Sequence, residues 1–345
     1  MTTSKIRLVT VGAGYFSRFQ YSAWHKIPEV DLVAICNRTK DAAKEIADQY
    51  SIPQIYTDFE EMLDQEKPDL VDIITPPHTH DAYVRAAVER GVKVICQKPF
   101  TQSLEEAKDL TDFIQEKNGT VVIHENFRFQ PWYLKIKDIL SDGSLGEIYQ
   151  IKFNLRPGDG QGKDAYLDRQ PYFQQMEKFL IHETAVHLID VFRYLLGEVK
   201  NLYADLRRVN PVIKGEDAGI VLFEFENGSR GIFDGNRNSD HSASNRRLTM
   251  GELVIEAEHK TIFLNGDGKI FIRETGSNLF QEIPYEWENT DFGGNCVFNL
   301  QKHIINCLIN GDEIVNTATE YLKNVQITDL VYKSNDKKRQ IDVVF

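Results

Sequence analysis

No stretch of this chain approaches the roughly 18 consecutive apolar residues that a membrane-spanning helix requires. Cysteine is scarce too: Cys36, Cys96, Cys296 and Cys307 form no C-x-x-C pair and no dense framework. Scattered thiols, mostly inside apolar runs, are the pattern of buried cysteines in a reducing compartment, not of a disulfide scaffold. Positive charge is outnumbered, with 40 Lys and Arg against 52 Asp and Glu for a net charge of −12. A surface that acidic repels phosphate backbones and speaks against a nucleic-acid partner unless a strongly basic patch is hidden in it. No internal repeat, low-complexity tract or long linker is visible. The opening Met1-Thr2-Thr3-Ser4-Lys5 carries no secretion-leader signature before the apolar run at 6–11. The expectation is a soluble, cytoplasmic protein, and 345 residues at about 150 per domain suggest two domains.

Within the first 125 residues, short apolar runs at 6–11, 31–36, 70–75, 92–96 and 120–124 alternate with amphipathic stretches at 40–50, 59–65, 80–90 and 103–117. Continuous apolar strands separated by helices predict a doubly wound parallel α/β sheet over residues 1–125. Such sheets bind ligands at the carboxyl ends of their strands. The first run leads into Gly12-Ala13-Gly14-Tyr15-Phe16-Ser17, a G-x-G-x-x-G turn with Ser in the third place. Its first glycine permits the tight turn, its second lets a pyrophosphate approach, and the helix N-terminus beyond attracts the charge.

The second run ends in Asn37-Arg38-Thr39-Lys40, without the acid that usually holds the ribose 2′-OH of NAD. Arg38 suits a 2′-phosphate, so these residues lean to NADP, although Asn37 can still bond a ribose. Thr75-Pro76-Pro77-His78-Thr79-His80 forms a rigid turn where the cofactor would pass, which nominates Thr75, Pro76, His78 and His80; a plain proline turn is the alternative. Gln97-Lys98-Pro99 places a lysine at the cleft end of a strand, either reactive or merely solvated.

The segment 179–196 reads as one helix, with apolar residues at Val186, Ile189, Val191, Tyr194 and Leu195 and a stop at Gly197. Glu183 and His187 then share a face, with Asp190 one turn on. An imidazole beside a carboxylate suits acid–base work, or else a surface ion pair. His182-Glu183 opens an H-E-x-x-H, but Val186 occupies the second histidine position, and histidines five apart on an α-helix diverge; no metal is expected. From residue 146 onward, alternating runs at 148–155, 199–208, 218–225, 229–236, 248–257 and 261–264 predict a large, mostly antiparallel open sheet. Amphipathic helices at 295–309 and 317–332 follow, expected to pack back toward the cofactor domain. Residues 126–345 thus read as a second, α+β domain. Within it Asn126 and Arg128 stand at the handover between domains. Arg156 and Tyr166 flank a glycine-rich stretch, 157–162, that either closes over a site or is an ordinary connection. Asn236-Arg237-Asn238 and His241 are weaker candidates.

These motifs together resemble the Gfo/Idh/MocA family of sugar and polyol dehydrogenases over nearly the whole chain. Thr75-Pro76-Pro77-His78-Thr79-His80 is similar to the family's T-P-x-x-x-H, and Gln97-Lys98-Pro99 to its E-K-P with Gln for Glu. The segment 180–190 is similar to D-x-G-x-H-x-x-D, with Glu183 in the Asp place and Ala185 in the Gly place. Within the family, the stretches 35–39, 95–99 and 123–130 look like the D-apiose dehydrogenase type, which implies NAD and stands against the NADP lean of Arg38.

The resemblance implies hydride transfer between a nicotinamide and a hydroxyl-bearing carbon of an aldose or cyclic polyol. It implies His187 as the base for the hydroxyl proton and Lys98 as the donor to the same oxygen. Glu183 would hold these groups or bind a sugar hydroxyl, its role altered by the extra methylene. Gly12, Gly14, Tyr15, Phe16, Asn37, Arg38, Gln97 and Lys98 would line the cofactor, and Asn126, Arg128, Arg156 and Tyr166 the substrate. The open sheet face would pair with another subunit in a dimer or tetramer. A non-catalytic nucleotide sensor or co-repressor on the same scaffold, or an NAD-dependent glycosidase, are the rival readings.

Overall fold

The computed structural model describes residues 5–345; Met1, Thr2, Thr3 and Ser4, read above for a leader, lie outside the described residues. The chain divides into two compact units, one running to Asn126 and including Val297–Val325, the other comprising Phe127–Cys296 and Gln326–Phe345.

The first unit alternates β1 (Ile6–Val11), α1 (Ser17–His25), β2 (Val30–Cys36), α2 (Lys40–Tyr50), β3 (Gln54–Tyr56), α3 (Phe59–Glu66), β4 (Leu70–Ile73), α4 (His80–Glu89), β5 (Lys93–Gln97), α5 (Leu104–Glu116) and β6 (Val121–His124). All its strand pairs are parallel, in the order β3-β2-β1-β4-β5-β6. The order reverses beside β1, so the turns after β1 and β4 flank the switch point where such sheets bind ligands. Leu8, Val9, Val71, Ile73, Val94 and Ile95 fill the sheet, the apolar continuity of strands covered on both faces. Helix starts are built locally: Asp58 accepts from Glu61 N at 2.8 Å and Ser103 from Glu106 N at 3.1 Å, satisfying donors that the helix leaves unpaired.

The second unit opens with α6 (Pro131–Ser141) and β7 (Ile148–Leu155), followed by α7 (Val186–Leu196), β8 (Val199–Arg207), β9 (Ala218–Phe225), β10 (Arg230–Asn236), β11 (Gly251–Ala257), β12 (Lys260–Leu264), β13 (Ile270–Glu274) and β14 (Gln281–Ile283). The helices α8 (Cys296–Asn310) and α9 (Ala318–Lys337) and a last short strand, β15 (Ile341–Asp342), complete the chain. Nine strands form one sheet, β14-β13-β12-β11-β7-β10-β9-β8-β15, antiparallel except for the parallel β7–β10 pair. Three of them, β13, β14 and β15, and the helix α6 were not foreseen. β14 and β15 are three- and two-residue edges, too short to show a period.

Alternation gives this sheet two unlike faces. Ile151, Phe153, Phe223, Phe225, Leu253 and Ile255 point inward and pack with Trp132, Ile136, Leu188 and Phe192 in the main core. On the other face, the registers line up Leu222, Ile232, Lys152, Val254, Phe263 and Phe271 in one row across six strands. Leu222 remains 43% exposed and its neighbour Ile220 46%.

Candidate active site

In the first unit, β1 feeds directly into the glycine turn. Gly12 sits at φ +115°, and a Cβ there would lie 2.7 Å from the Ile74 carbonyl oxygen, so no larger residue fits. Its N–H donates to Cys36 O at 3.0 Å, and its carbonyl accepts from the Tyr21 hydroxyl at 2.8 Å, tying the turn to β2 and α1. Gly14 is the opposite case: it is exposed, and no heavy atom lies within 4 Å of where its Cβ would stand. Ser17, in the third place, donates its hydroxyl to Gly14 O at 2.7 Å and is itself buried. An open backbone ahead of a helix N-terminus, held by a clamped glycine, fits a dinucleotide pyrophosphate. Tyr15 is exposed beside it, with the Arg18 guanidinium 4.3 Å over its ring, and Phe16 is half-buried.

The neighbouring turns are stiff. Asn37 donates its amide to the Thr39 carbonyl and hydroxyl at 3.0 and 3.2 Å and so shapes the start of α2, while Arg38 stands exposed. The Thr79 hydroxyl lies 2.6 Å from that of Thr75 and 2.8 Å from Pro76 O, closing a short 3₁₀ turn on which Pro76 and His78 are exposed and Thr75 half-buried.

His80 requires a correction. Expected among the cofactor contacts, it is fully buried, with Nδ1 3.0 Å from Phe100 O and Nε2 2.8 Å from Thr75 O. Burial pushes its pKa down against the pull of these carbonyls. Both ring nitrogens face carbonyls, of the loop after β4 and of the loop after β5; the single N–H of the neutral ring bonds one of them, and neither nitrogen is open to a ligand. Lys98 follows β5, half-buried, and its backbone N–H donates to the Gln97 side-chain carbonyl at 2.8 Å.

In the second unit the expected single helix over 179–196 is two structures. Leu180–Ala185 is a π-helical turn, and α7 begins at Val186. A buried carboxylate from outside the helix caps the start of this turn. Glu216 Oε1 accepts from the backbone N–H of Phe179 at 3.1 Å and of Ile181 at 3.0 Å, and from the Tyr332 hydroxyl at 2.6 Å. Farther along, Arg237 donates to the Thr184 hydroxyl at 2.6 Å. Glu183 is half-buried within the π turn. His187 lies in the first turn of α7, 6% exposed and stacked on Phe127 with ring centroids 4.0 Å apart and planes at 4°. The π turn bonds i to i+5, so the separation of His182 from His187 expected of an α-helix does not hold. Among the described residues, no group of three His, Cys, Asp or Glu side chains is placed to hold a metal ion. Asp190, expected beside His187, is fully buried and takes the Arg128 guanidinium on both oxygens, at 2.7 and 2.5 Å.

The chain matches the oxidoreductase family with NAD-binding Rossmann fold over residues 6–125 and the GFO/IDH/MocA C-terminal domain over residues 133–253. The chain belongs to the Gfo/Idh/MocA family. It is an oxidoreductase of that family. It is 29% identical to the D-apiose dehydrogenase of Rhizobium rhizogenes, over 99% of both chains. It is 28% identical to that of Paraburkholderia graminis, over 99% of this chain and 91% of the other. Among solved structures it resembles an oxidoreductase from Agrobacterium radiobacter in complex with NAD+, L-tartaric acid and magnesium, at a TM-score of 0.88 and 29% identity over 98% of each chain.

On this Gfo/Idh/MocA scaffold, two of the residues expected at the substrate are committed elsewhere. Tyr166 is 2% exposed, and its hydroxyl donates to Asp159 Oδ1 at 3.1 Å. Arg156 donates to the carbonyls of Leu155 and Asp234 and pairs with the Asp234 carboxylate at 2.7 Å. Asn126 is 2% exposed at the end of the first unit, and Arg128 is bound to Asp190.

The glycine-rich stretch is pinned at Asp159. Arg169 reaches its carboxylate at 2.6 Å and Arg237 at 2.8 Å, and the Arg237 guanidinium sits 5.1 and 4.8 Å from the Tyr166 and Phe179 ring centroids. Burial alone would raise the Asp159 carboxyl, but the two guanidinium groups hold it below the ordinary range. Arg237 thus couples the stretch to the π turn that carries Glu183. Of these groups Asp159 lies in the glycine-rich stretch, beside Tyr166, and Arg237 in the Asn236-Arg237-Asn238 strand end, both read from the sequence. Glu216 had no local signal, because its partners are distant in sequence.

Proposed function

We propose that the protein is an NAD(P)-dependent dehydrogenase moving a hydride between the nicotinamide and a hydroxyl-bearing carbon of an aldose or cyclic polyol. The observation that carries this reading is that an open pyrophosphate cradle at Gly14 coexists with a lysine and an imidazole at the family's reactive positions, Lys98 and His187. A nucleotide sensor has no use for both. When bound, the nicotinamide carries the hydride. His187 takes the hydroxyl proton, its plane fixed by the Phe127 ring. Lys98 donates to the same oxygen and favours its alkoxide character. Glu183 orients these groups or a second sugar hydroxyl; Asn126 remains a substrate-binding candidate, while Arg128 is held on Asp190.

The likeness to D-apiose dehydrogenases supports a sugar as substrate, and the NAD+ complex of the Agrobacterium radiobacter oxidoreductase supports NAD. Arg38 keeps NADP as the alternative. The row on the outer sheet face, apolar but for Lys152, suits a second copy of the chain, giving a dimer or tetramer that sedimentation velocity would reveal. Four buried thiols suit the cytoplasm.

The test is purified protein with NAD or NADP and a panel of aldoses and inositols, read by reduced-nicotinamide absorbance, beside His187→Ala. Turnover that His187→Ala abolishes supports the reading. No signal with either nucleotide, together with no effect of His187→Ala, sinks it.

A further inference from the structure

Asp72 stands on β4 in the middle of the parallel sheet, a charged residue with no exposed surface. The Gln20 side-chain amide lies 3.1 Å from each of its oxygens, and the Trp24 indole N–H donates to Oδ2 at 2.7 Å. The Gln20 carbonyl in turn accepts from the Gln97 amide at 3.2 Å, and the Gln97 carbonyl accepts from the Lys98 backbone N–H at 2.8 Å. A glutamine amide fits either way round, whereas an ionised carboxylate only accepts. The charge on Asp72 therefore turns the Gln20 nitrogen inward, which turns the Gln97 nitrogen toward Gln20 and its carbonyl toward Lys98.

We infer that Asp72 is a positioning residue for Lys98, acting through Gln20 and Gln97, and that its charge is what requires Gln rather than Glu at position 97. A glutamate there would set its carboxylate against the Gln20 carbonyl. Reversing Gln20 would only move the clash onto Asp72. Burial pushes the Asp72 carboxyl up to about 7 against the bonds from Trp24 and Gln20, so the charge is present above that pH. The other titratable groups facing it are Tyr21 on α1, which bonds Thr10 of β1, and Cys96 on β5; burial pushes both up, so both stay neutral. The catalytic consequence rests on the dehydrogenase reading; the hydrogen-bond chain does not.

The experiment compares Asp72→Asn, Gln97→Glu and the double variant well above the pH at which Asp72 titrates. In Asp72→Asn the Trp24 N–H claims the amide oxygen, the amide nitrogen faces Gln20, and the reversed chain presents an NH₂ to the Lys98 N–H. In the double variant the reversed chain ends on the carboxylate introduced at position 97, which accepts from both neighbours. Each single variant is expected to lower kcat about tenfold with the nucleotide KM little changed, and the double to regain most of the loss.

The Lys98 amide resonance of ¹⁵N-lysine-labelled protein reads the same chain without any turnover. It is expected to shift in each single variant and to return in the double, so a failed search for substrate leaves this arm intact. Should Asp72→Asn not fold, acidifying Gln97→Glu through the Asp72 titration supplies the same reversal. The resonance then returns in Gln97→Glu and is lost in the wild type. Additive losses in kcat, or a Lys98 resonance indifferent to Asp72, overturn the inference.

Discussion

The Arg128 guanidinium closes on Asp190 with Nε 2.7 Å from one carboxylate oxygen and a terminal nitrogen 2.5 Å from the other. Asp190 lies three residues beyond His187 on α7, so the pair ties the segment after β6 to the helix that carries the imidazole. Removing one partner of a buried pair leaves the other charge uncompensated, at a cost of roughly 3–5 kcal/mol. Asp190→Ala is therefore expected to lower the melting temperature sharply, and Arg128→Met with Asp190→Leu to lower it less than Asp190→Ala alone. A melting temperature unchanged by Asp190→Ala would contradict this.

The two glycines of the first turn separate fold from binding. Gly12→Ala combines a positive φ with a 2.7 Å approach to Ile74 O and is expected to destabilise the first unit. Gly14→Ala meets nothing in the protein. It is expected to keep the wild-type melting temperature while weakening nucleotide binding at least about tenfold, since the added methyl stands where the pyrophosphate approaches. Calorimetric titration with NAD, run beside thermal melts, distinguishes the two.

Arg38 decides between nucleotides. If its exposed guanidinium holds a 2′-phosphate, Arg38→Ala weakens NADP by roughly 1–3 kcal/mol and leaves NAD nearly unchanged. Equal affinities before and after for both nucleotides would show that the turn does not read the 2′ position.

Asp72 also marks the stability profile. Its folded-state value, about 7, lies above the ordinary 3.8, so the folded protein binds this proton more tightly than the unfolded chain. The contribution is full below 3.8 and lost as the pH rises through about 7. The stability of wild type minus that of Asp72→Asn is thus expected to fall across this window, by a few kcal/mol as an order of magnitude, and to flatten above it. A difference that stays constant with pH would place the titration elsewhere.

The first unit was legible because a buried parallel sheet writes its strands as continuous apolar runs, and β1 and α2 keep the expected bounds. The second sheet was legible wherever a strand was long enough to alternate, as in β7 and β9, and illegible at its short edges. The glycine turn was legible because its geometry is local: a clamped Gly12, an open Gly14 and a helix start at Ser17. The candidate site was misread where a distant partner decides the local structure. His80 looks like a ligand until Thr75 and Phe100 take its two edges. The sequence 179–196 has helical period throughout, yet its first turn is π, capped by Glu216 from just ahead of β9 and held at Thr184 by Arg237. Asp72 gave no signal at all, being one acid inside an apolar run.

The π turn before α7 sets the azimuth of Glu183 relative to that of His187. Each residue of an α-helix rotates the chain by about 100° and advances it 1.5 Å. A single-codon deletion between Glu183 and Val186 would swing the carboxylate around the axis, and with it Leu180 and Ile181 of the main core. The spacing between acid and imidazole is thus locked by the same packing that supports the domain.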